Sequence, residues 1–249
     1  IPPVFELVEW LDAPPDETWN GVLFANEVID ALPTPRFTLR DGEVFEEGVA
    51  LDGEGRFVRT DRPADALLSA AVRHVERYLD APFPDGYRSE LLPQLPYWIQ
   101  AVMGGLDKGV MLFADYGYPR REFYQADRDD GTLRAYYRHR VHNDAYLWPG
   151  LQDITASVDF TALAEAGTNA GFDLAGYTTQ ANFLLGNGLQ ERLDEAQARA
   201  DEATLLRLRN EAKRLTLPSE MGERFQVMGF SSDVEFGTAF LFNDLSWRL

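Results

Sequence analysis

The chain has 249 residues, 45% of them hydrophobic, enough for one main domain with a full core and insertions. Its 41 acidic side chains outnumber 23 Lys and Arg, and the formal charge of −18 opposes nucleic acid and anionic lipid headgroups while favouring basic proteins or peptides. No cysteine is present, which excludes disulfides, thiolate zinc sites and cysteine nucleophiles, and no apolar run approaches transmembrane length.

In chain order, residues 4–10 have strand-like content, and the turn-rich stretch 12–16 leads to a second strand over residues 21–25. That run is continuously apolar and stops at Asn26, Glu27 and Asp30, with Pro33 ending the segment; it reads as a strand buried on both faces, as in a parallel sheet covered by helices. Residues 36–59 change character: short segments separated by Asp41-Gly42 and by the turn at 52–55 have the spacing of a small antiparallel meander inserted into the framework. Helical spacing follows at Ala66, Leu67, Ala70, Ala71 and Val75, and again over residues 95–106. Residues 109–114 repeat the buried apolar run and end at Asp115, Tyr116 and Gly117.

The stretch 116–148 is rich in Tyr and Trp without sustained periodicity and reads as a long ordered loop, since aromatic content of this kind argues against disorder. A helix is expected over residues 160–170, with Asp159 as N-cap and Gly171 as its stop, and a strand over residues 173–179. One apolar face continues from Leu189 to Leu215, as a helical pair or one broken helix, and residues 225–247 have the content of an antiparallel hairpin that completes the sheet. The fold class expected is α/β. Its parts are central strands over residues 1–35, a β-hairpin and helical insertion over 36–108, and over 109–249 the remainder, with the aromatic loop and a helical region.

In open α/β sheets, ligands bind beyond the carboxyl ends of the strands, so Asn26, Glu27, Asp30, Asp115, Tyr116 and Gly117 fall where a ligand would sit. Each also has a purely local use: Asn26 or Asp30 can cap the next turn, and an Asp followed by Gly is common in turns. Their weight comes from two such ends being neighbours at one crevice. His142 is read as a hydrogen-bonding group or base; together with His139 and Asp153 it raises a metal site, although the spacing matches no compact helical zinc motif. There is no Gly-x-Ser-x-Gly elbow and no Walker sequence, so serine hydrolase and nucleoside triphosphatase readings have no support.

Taken together, residues 26–33, Asp115-Tyr116-Gly117, Gly131-Thr132-Leu133, the stretch from Pro149, Gly150 and Asp153 to Thr155 with Val158-Asp159-Phe160, and Gln180 with Phe183-Leu184 resemble the MidA-like family of S-adenosylmethionine-dependent methyltransferases. The motif order extends to residues 221–225. The resemblance implies a Rossmann-like methyltransferase fold with a mostly parallel sheet, a small β insertion and a helical substrate-side region. It implies S-adenosylmethionine as cofactor, contacted by Asn26, Asp115, Tyr116 and Gly117, with Glu27 and Asp30 holding an acceptor guanidinium and His142 assisting. Tyr137, Pro149, Gly150, Asp153, Thr155 and Gln180 are then expected on the substrate side.

The partner implied is a protein bearing the methylated arginine, a respiratory complex I subunit in mitochondrial members; a homodimer is possible, and neither nucleic acid nor membrane is expected. The location implied is bacterial cytoplasm, or the mitochondrial matrix in a eukaryote. One feature departs from the family pattern: no Gly-x-Gly turn follows a first strand, and no acidic residue follows a second. The chain is accordingly expected to begin around the third strand of such a domain and, alone, to bind the cofactor weakly or not at all. A non-catalytic assembly or binding module that keeps the fold is the competing expectation.

Overall fold

In the computed structural model, which describes residues 7–138 and 140–249, the architecture is organised around one 13-residue strand, β6 (Leu106–Tyr118). Before it come β1 (Trp19–Asn26), β2 (Arg36–Arg40), β3 (Glu43–Leu51), β4 (Phe57–Pro63), α1 (Ala66–Glu76), β5 (Arg88–Glu90) and α2 (Leu95–Met103). After it come α3 (Arg120–Phe123), β7 (Arg134–Tyr137), β8 (Arg140–His142), β9 (Asp153–Thr155), β10 (Val158–Asp159), α4 (Phe160–Asn169), β11 (Asp173–Thr179), α5 (Gln180–Gly186), α6 (Leu189–Gln197), α7 (Glu202–Thr216) and β12 (Phe225–Ser232). The main sheet has the order β1-β6-β12-β11, with β10 against the far end of β6. β1 and β10 run parallel to β6, β12 runs antiparallel to β6, and β11 runs antiparallel to β12.

Burial follows from position in the sheet. β6 lies between two neighbours under α2 and α4, and Met111 and Phe113 are fully enclosed with Ile99, Leu163 and Phe230. The matching apolar run on β1 behaves differently from the reading of a strand buried on both faces: Val22 is 70% and Phe24 63% exposed. Among the described residues β1 pairs only with β6, so it is an edge strand, and one of its faces carries these two side chains uncovered. The strand expected over residues 4–10 lies partly outside the described residues, and residues 8–10 are not strand.

The insertion is a four-stranded antiparallel sheet in the order β4-β3-β2-β5, closed by α1. Its core joins Phe37, Leu39, Val72 and Tyr87 to Phe123 and Tyr124, which arrive from just beyond β6. Helices α1 and α4 begin where the sequence indicates, with Asp65 and Asp159 accepting the backbone N–H of Leu68 and Ala162. The aromatic stretch is more regular than a loop, since it contains α3 and two strands, β7 and β8, of a small sheet in the order β8-β7-β9. Residues 225–247 form no hairpin of their own; β12 pairs instead with β6 and β11. No helix among the described residues is long and apolar enough to cross a membrane.

Gly167 shows how closely α4 lies on the sheet, because a Cβ there would overlap the ring of the fully buried Phe230. Gly to Ala within a helix ordinarily stabilises by about 1 kcal/mol through propensity. Here overpacking reverses the sign, and Gly167→Ala is expected to lower stability by about 1–3 kcal/mol in urea unfolding; a gain in stability would show that α4 can move off Phe230.

Candidate functional site

The carboxyl ends of β1 and β6 lie side by side, with Asn26 in register with Ala114 and the backbone N–H of Glu27 donating to the Ala114 carbonyl at 3.0 Å. Immediately beyond, Glu27 adopts φ +51°, a left-handed conformation that costs a non-glycine residue and breaks the strand sharply. Asp115, 2% exposed, fastens the two ends: its Oδ2 accepts from the backbone N–H of Ile29 (3.1 Å) and Asp30 (3.3 Å), and its Oδ1 from that of Tyr116 (2.9 Å). Tyr116 closes the loop by donating its hydroxyl to Asp30 Oδ2.

A cavity of about 590 Å³ opens at these ends, lined among others by Glu27, Asp30, Tyr116, Thr132, Tyr136 and Asp153. Gly117, Arg134, Thr155, Ser157 and the segment 220–225 contribute further wall. Asp30 is 5% exposed, and its Oδ1 has no hydrogen-bond partner among the described residues. Burial raises the Asp30 carboxyl above its usual range, and the nearby charge of Asp153 adds to this against the Tyr116 hydrogen bond. Asp115 is pushed up to about 7, first by burial and then by the charge of Asp30. The Tyr116 phenol is raised as well, by burial and by its bond to Asp30, and stays a donor at neutral pH.

Of the residues singled out in the sequence, Glu27, Asp30, Tyr116, Gly117, Asp153 and Thr155 share this cavity. Asn26 sits at its rim in a 3.3 Å hydrogen bond to Glu27, and Asp115 lies behind it. His142 lies elsewhere, and the antiparallel register gives the reason. Arg134 pairs with Thr155 and Tyr136 with Asp153, which puts these four on the cavity face of the small sheet; Ala135 pairs with both Ile154 and His142, which puts those on the opposite face. His142 and Pro149 line a separate groove on that side with Ile154. The same alternation directs Tyr137 to Trp148, at 4.5 Å between ring centroids, and leaves Tyr136 for the cavity.

Gly150 takes φ +79° in the turn between the small strands and lines neither space, and Gln180 is buried at the start of α5, donating to the Leu215 carbonyl at 3.0 Å. His139 lies outside the described residues. No group of three or more His, Cys, Asp or Glu that could hold a metal ion occurs among the described residues. Tyr136, Ser157 and Arg224 are cavity residues that sequence reasoning did not select; the alternation of β7 carries the signal for the first.

The Asp115 pKa has a consequence for stability. Folding raises it from 3.8 to about 7, so the folded state binds the proton more tightly and stability falls as pH rises from about 4 to about 7. Asp115→Asn is expected to flatten that slope in urea unfolding measured across this range; an unchanged slope would show that Asp115 is ionised throughout.

Residues 2–178 match the family described as "Putative S-adenosyl-L-methionine-dependent methyltransferase". The zebrafish (Danio rerio) mitochondrial protein arginine methyltransferase NDUFAF7 is 30% identical over 217 residues, which is 83% of this chain and 46% of that protein, and the Drosophila melanogaster homologue is 28% identical over 84% of this chain and 46% of its own length. The chain thus spans about half the length of these relatives. A crystal structure of a COG1565 superfamily member from Burkholderia thailandensis bound to S-adenosyl-homocysteine superposes with a TM-score of 0.85 at 39% identity, over 97% of this chain and 61% of that one. With the family match and the structural likeness in agreement, the chain belongs to this family of S-adenosyl-L-methionine-dependent methyltransferases.

Proposed function

We propose that the protein transfers a methyl group from S-adenosylmethionine to an arginine of a partner protein, and that this chain supplies the acceptor side of the reaction. The observation that carries this reading is Asp30, a buried carboxylate on the cavity wall with one oxygen unpartnered among the described residues. A carboxylate so placed is expensive without a partner, and a planar cation with several N–H donors satisfies it best. Asp153 and Glu27 line the same space and add negative charge, beside the guanidinium groups of Arg128, Arg134 and Arg224. Asp30 Oδ2 is already fixed by Tyr116, which leaves Oδ1 in one orientation for an incoming guanidinium; methyl transfer depends on such alignment more than on acid-base strength.

Asn26, Asp115, Tyr116 and Gly117 are the residues we assign to the edge of the cofactor. Gly53-Glu54-Gly55 does follow a strand, but it joins β3 to β4 in a hairpin and opens no helix at the cavity, so among the described residues no Gly-x-Gly turn is placed to cradle the cofactor there. The roles assigned to this chain therefore stay on the acceptor side: binding the guanidinium, orienting it and neutralising its charge. The competing reading is an assembly or binding module that keeps the cavity without catalysis. The names of the relatives support a protein as acceptor, and a respiratory complex I subunit is the first partner to test.

The test is titration of N-acetyl-arginine methylamide, followed by calorimetry, with S-adenosylmethionine titrated in parallel. Asp30→Asn is expected to weaken the arginine probe about tenfold or more through loss of a charged hydrogen bond. A probe that binds wild type and Asp30→Asn equally would remove Asp30 from the acceptor site, and arginine binding without any response to S-adenosylmethionine would move the assignment to the binding module. The affinity is also expected to rise with pH through about 7, as Asp115 ionises and the Asp30–Asp115 pair gains its second charge. Affinity that falls or stays level over that range would refute a cationic ligand at the pair.

A further inference from the structure

A row of charged side chains crosses the insertion sheet. Glu90 on β5, Arg36 on β2, Glu47 on β3 and Asp61 on β4 are direct cross-strand partners, one from each strand. Glu47 receives Arg59 at 3.5 Å and is also paired with Arg88, so the middle of the row is well compensated. Glu90 at its inner end is held less closely: it is wholly buried, its Oε2 has no hydrogen-bond partner among the described residues, and Arg36 Nε stands 3.8 Å from that oxygen, while Arg36 itself pairs with Glu47 at 3.4 Å and with Asp130 at 2.8 Å.

A fully buried carboxylate with a distant counterion adds little stability, and an apolar residue would fill the space at lower cost. What Glu90 does make is a pair of bonds toward the cavity. Its Oε1 accepts from both the backbone N–H and the hydroxyl of Thr132, each at 2.6 Å. The Thr132 hydroxyl has one proton, which goes to Glu90, and its oxygen then accepts from the Ser157 backbone N–H at 2.9 Å. Next to Ser157, the Ala156 N–H donates to the Asp30 carbonyl at 3.1 Å. Gly131, at φ +70°, lets the carboxylate come this close, since a Cβ there would overlap Oε2. Thr132, Thr155, Ser157 and Asp30 all line the acceptor cavity.

We propose that Glu90 is a positioning residue for this cavity: it fixes Thr132, Thr132 fixes Ser157, and the insertion sheet thereby sets the wall against which the acceptor is held. The inference rests on the acceptor reading above only in naming what the cavity binds; the chain of bonds is independent of it. Glu90 does not touch the acceptor. Its carboxyl is raised by burial, and a neutral amide can accept the same two bonds on one oxygen.

The experiment uses Glu90→Ala, Glu90→Gln and Thr132→Val, with amide hydrogen exchange at Ser157 and binding of N-acetyl-arginine methylamide as readouts. Thr132→Val keeps the backbone bond to Glu90 and deletes only the hydroxyl link, so it tests the relay even if Glu90→Ala fails to fold. Thr132→Val and Glu90→Ala are expected to speed Ser157 exchange about tenfold and to weaken the probe several-fold, while amides of β6 and β12 exchange as in wild type and Glu90→Gln stays close to wild type in both. Ser157 protected as in wild type in Thr132→Val would overturn the proposal. So would acceleration spread equally over β6 and β12, which would mark Glu90 as a general stability residue. Should wild type bind no arginine probe, the acceptor reading fails and Ser157 exchange alone decides the role of Glu90.

Discussion

Asp115 holds three backbone N–H groups from two strand ends, and the geometry of the candidate site depends on that junction. β1 and β6 are parallel neighbours, so their last residues would otherwise diverge into separate loops. The carboxylate instead folds residues 29 and 30 over the end of β6 and brings Asp30 against Tyr116. The cost is two carboxyls close together in a dry place, which is why Asp115 keeps its proton to about 7. The cavity beyond this junction carries both signs of charge, with Glu27, Asp30, Asp153 and Glu220 beside Arg128, Arg134 and Arg224.

A second level of organisation comes from the insertion. Its sheet is not an ornament on the methyltransferase framework, because the 131–132 turn is anchored in β5 and the segment 155–157 is anchored in that turn. The small sheet of β7, β8 and β9 then works as a partition. One face looks into the polar cavity at the strand ends and the other into a broader, more apolar groove lined by Val49, Phe57 and Ile154. Alternation along the strands assigns side chains to the two spaces.

Much of this was legible in the sequence, for identifiable reasons. Helix α4 announces itself through an N-cap Asp, α1 through helical apolar spacing, and β6 through an unbroken apolar run. The acidic strand ends were recognisable because ligands of open α/β sheets bind beyond the carboxyl ends of the strands and two such ends fall together. Edge position was not legible: the runs on β1 and β6 look alike as text, and only pairing distinguishes them. Tyr136 and Tyr137 were likewise indistinguishable until the register assigned them to opposite faces. Glu90 gives no local sign, because its role arises from contact with a turn 42 positions away.

The passage from β6 into α3 carries a consequence for how the molecule evolves and unfolds. Within a few residues the chain leaves the main core at Phe113 and delivers Phe123 and Tyr124 into the core of the insertion, while Arg120 between them grips Glu165 and Asp159 of the α4 region. The two cores are thus sewn together by one continuous piece of backbone and one buried guanidinium. An inserted module joined only by its two ends can be lost or exchanged between relatives with little penalty to its host. This one cannot be excised cleanly, since its removal would leave two aromatic side chains of the central framework without a home.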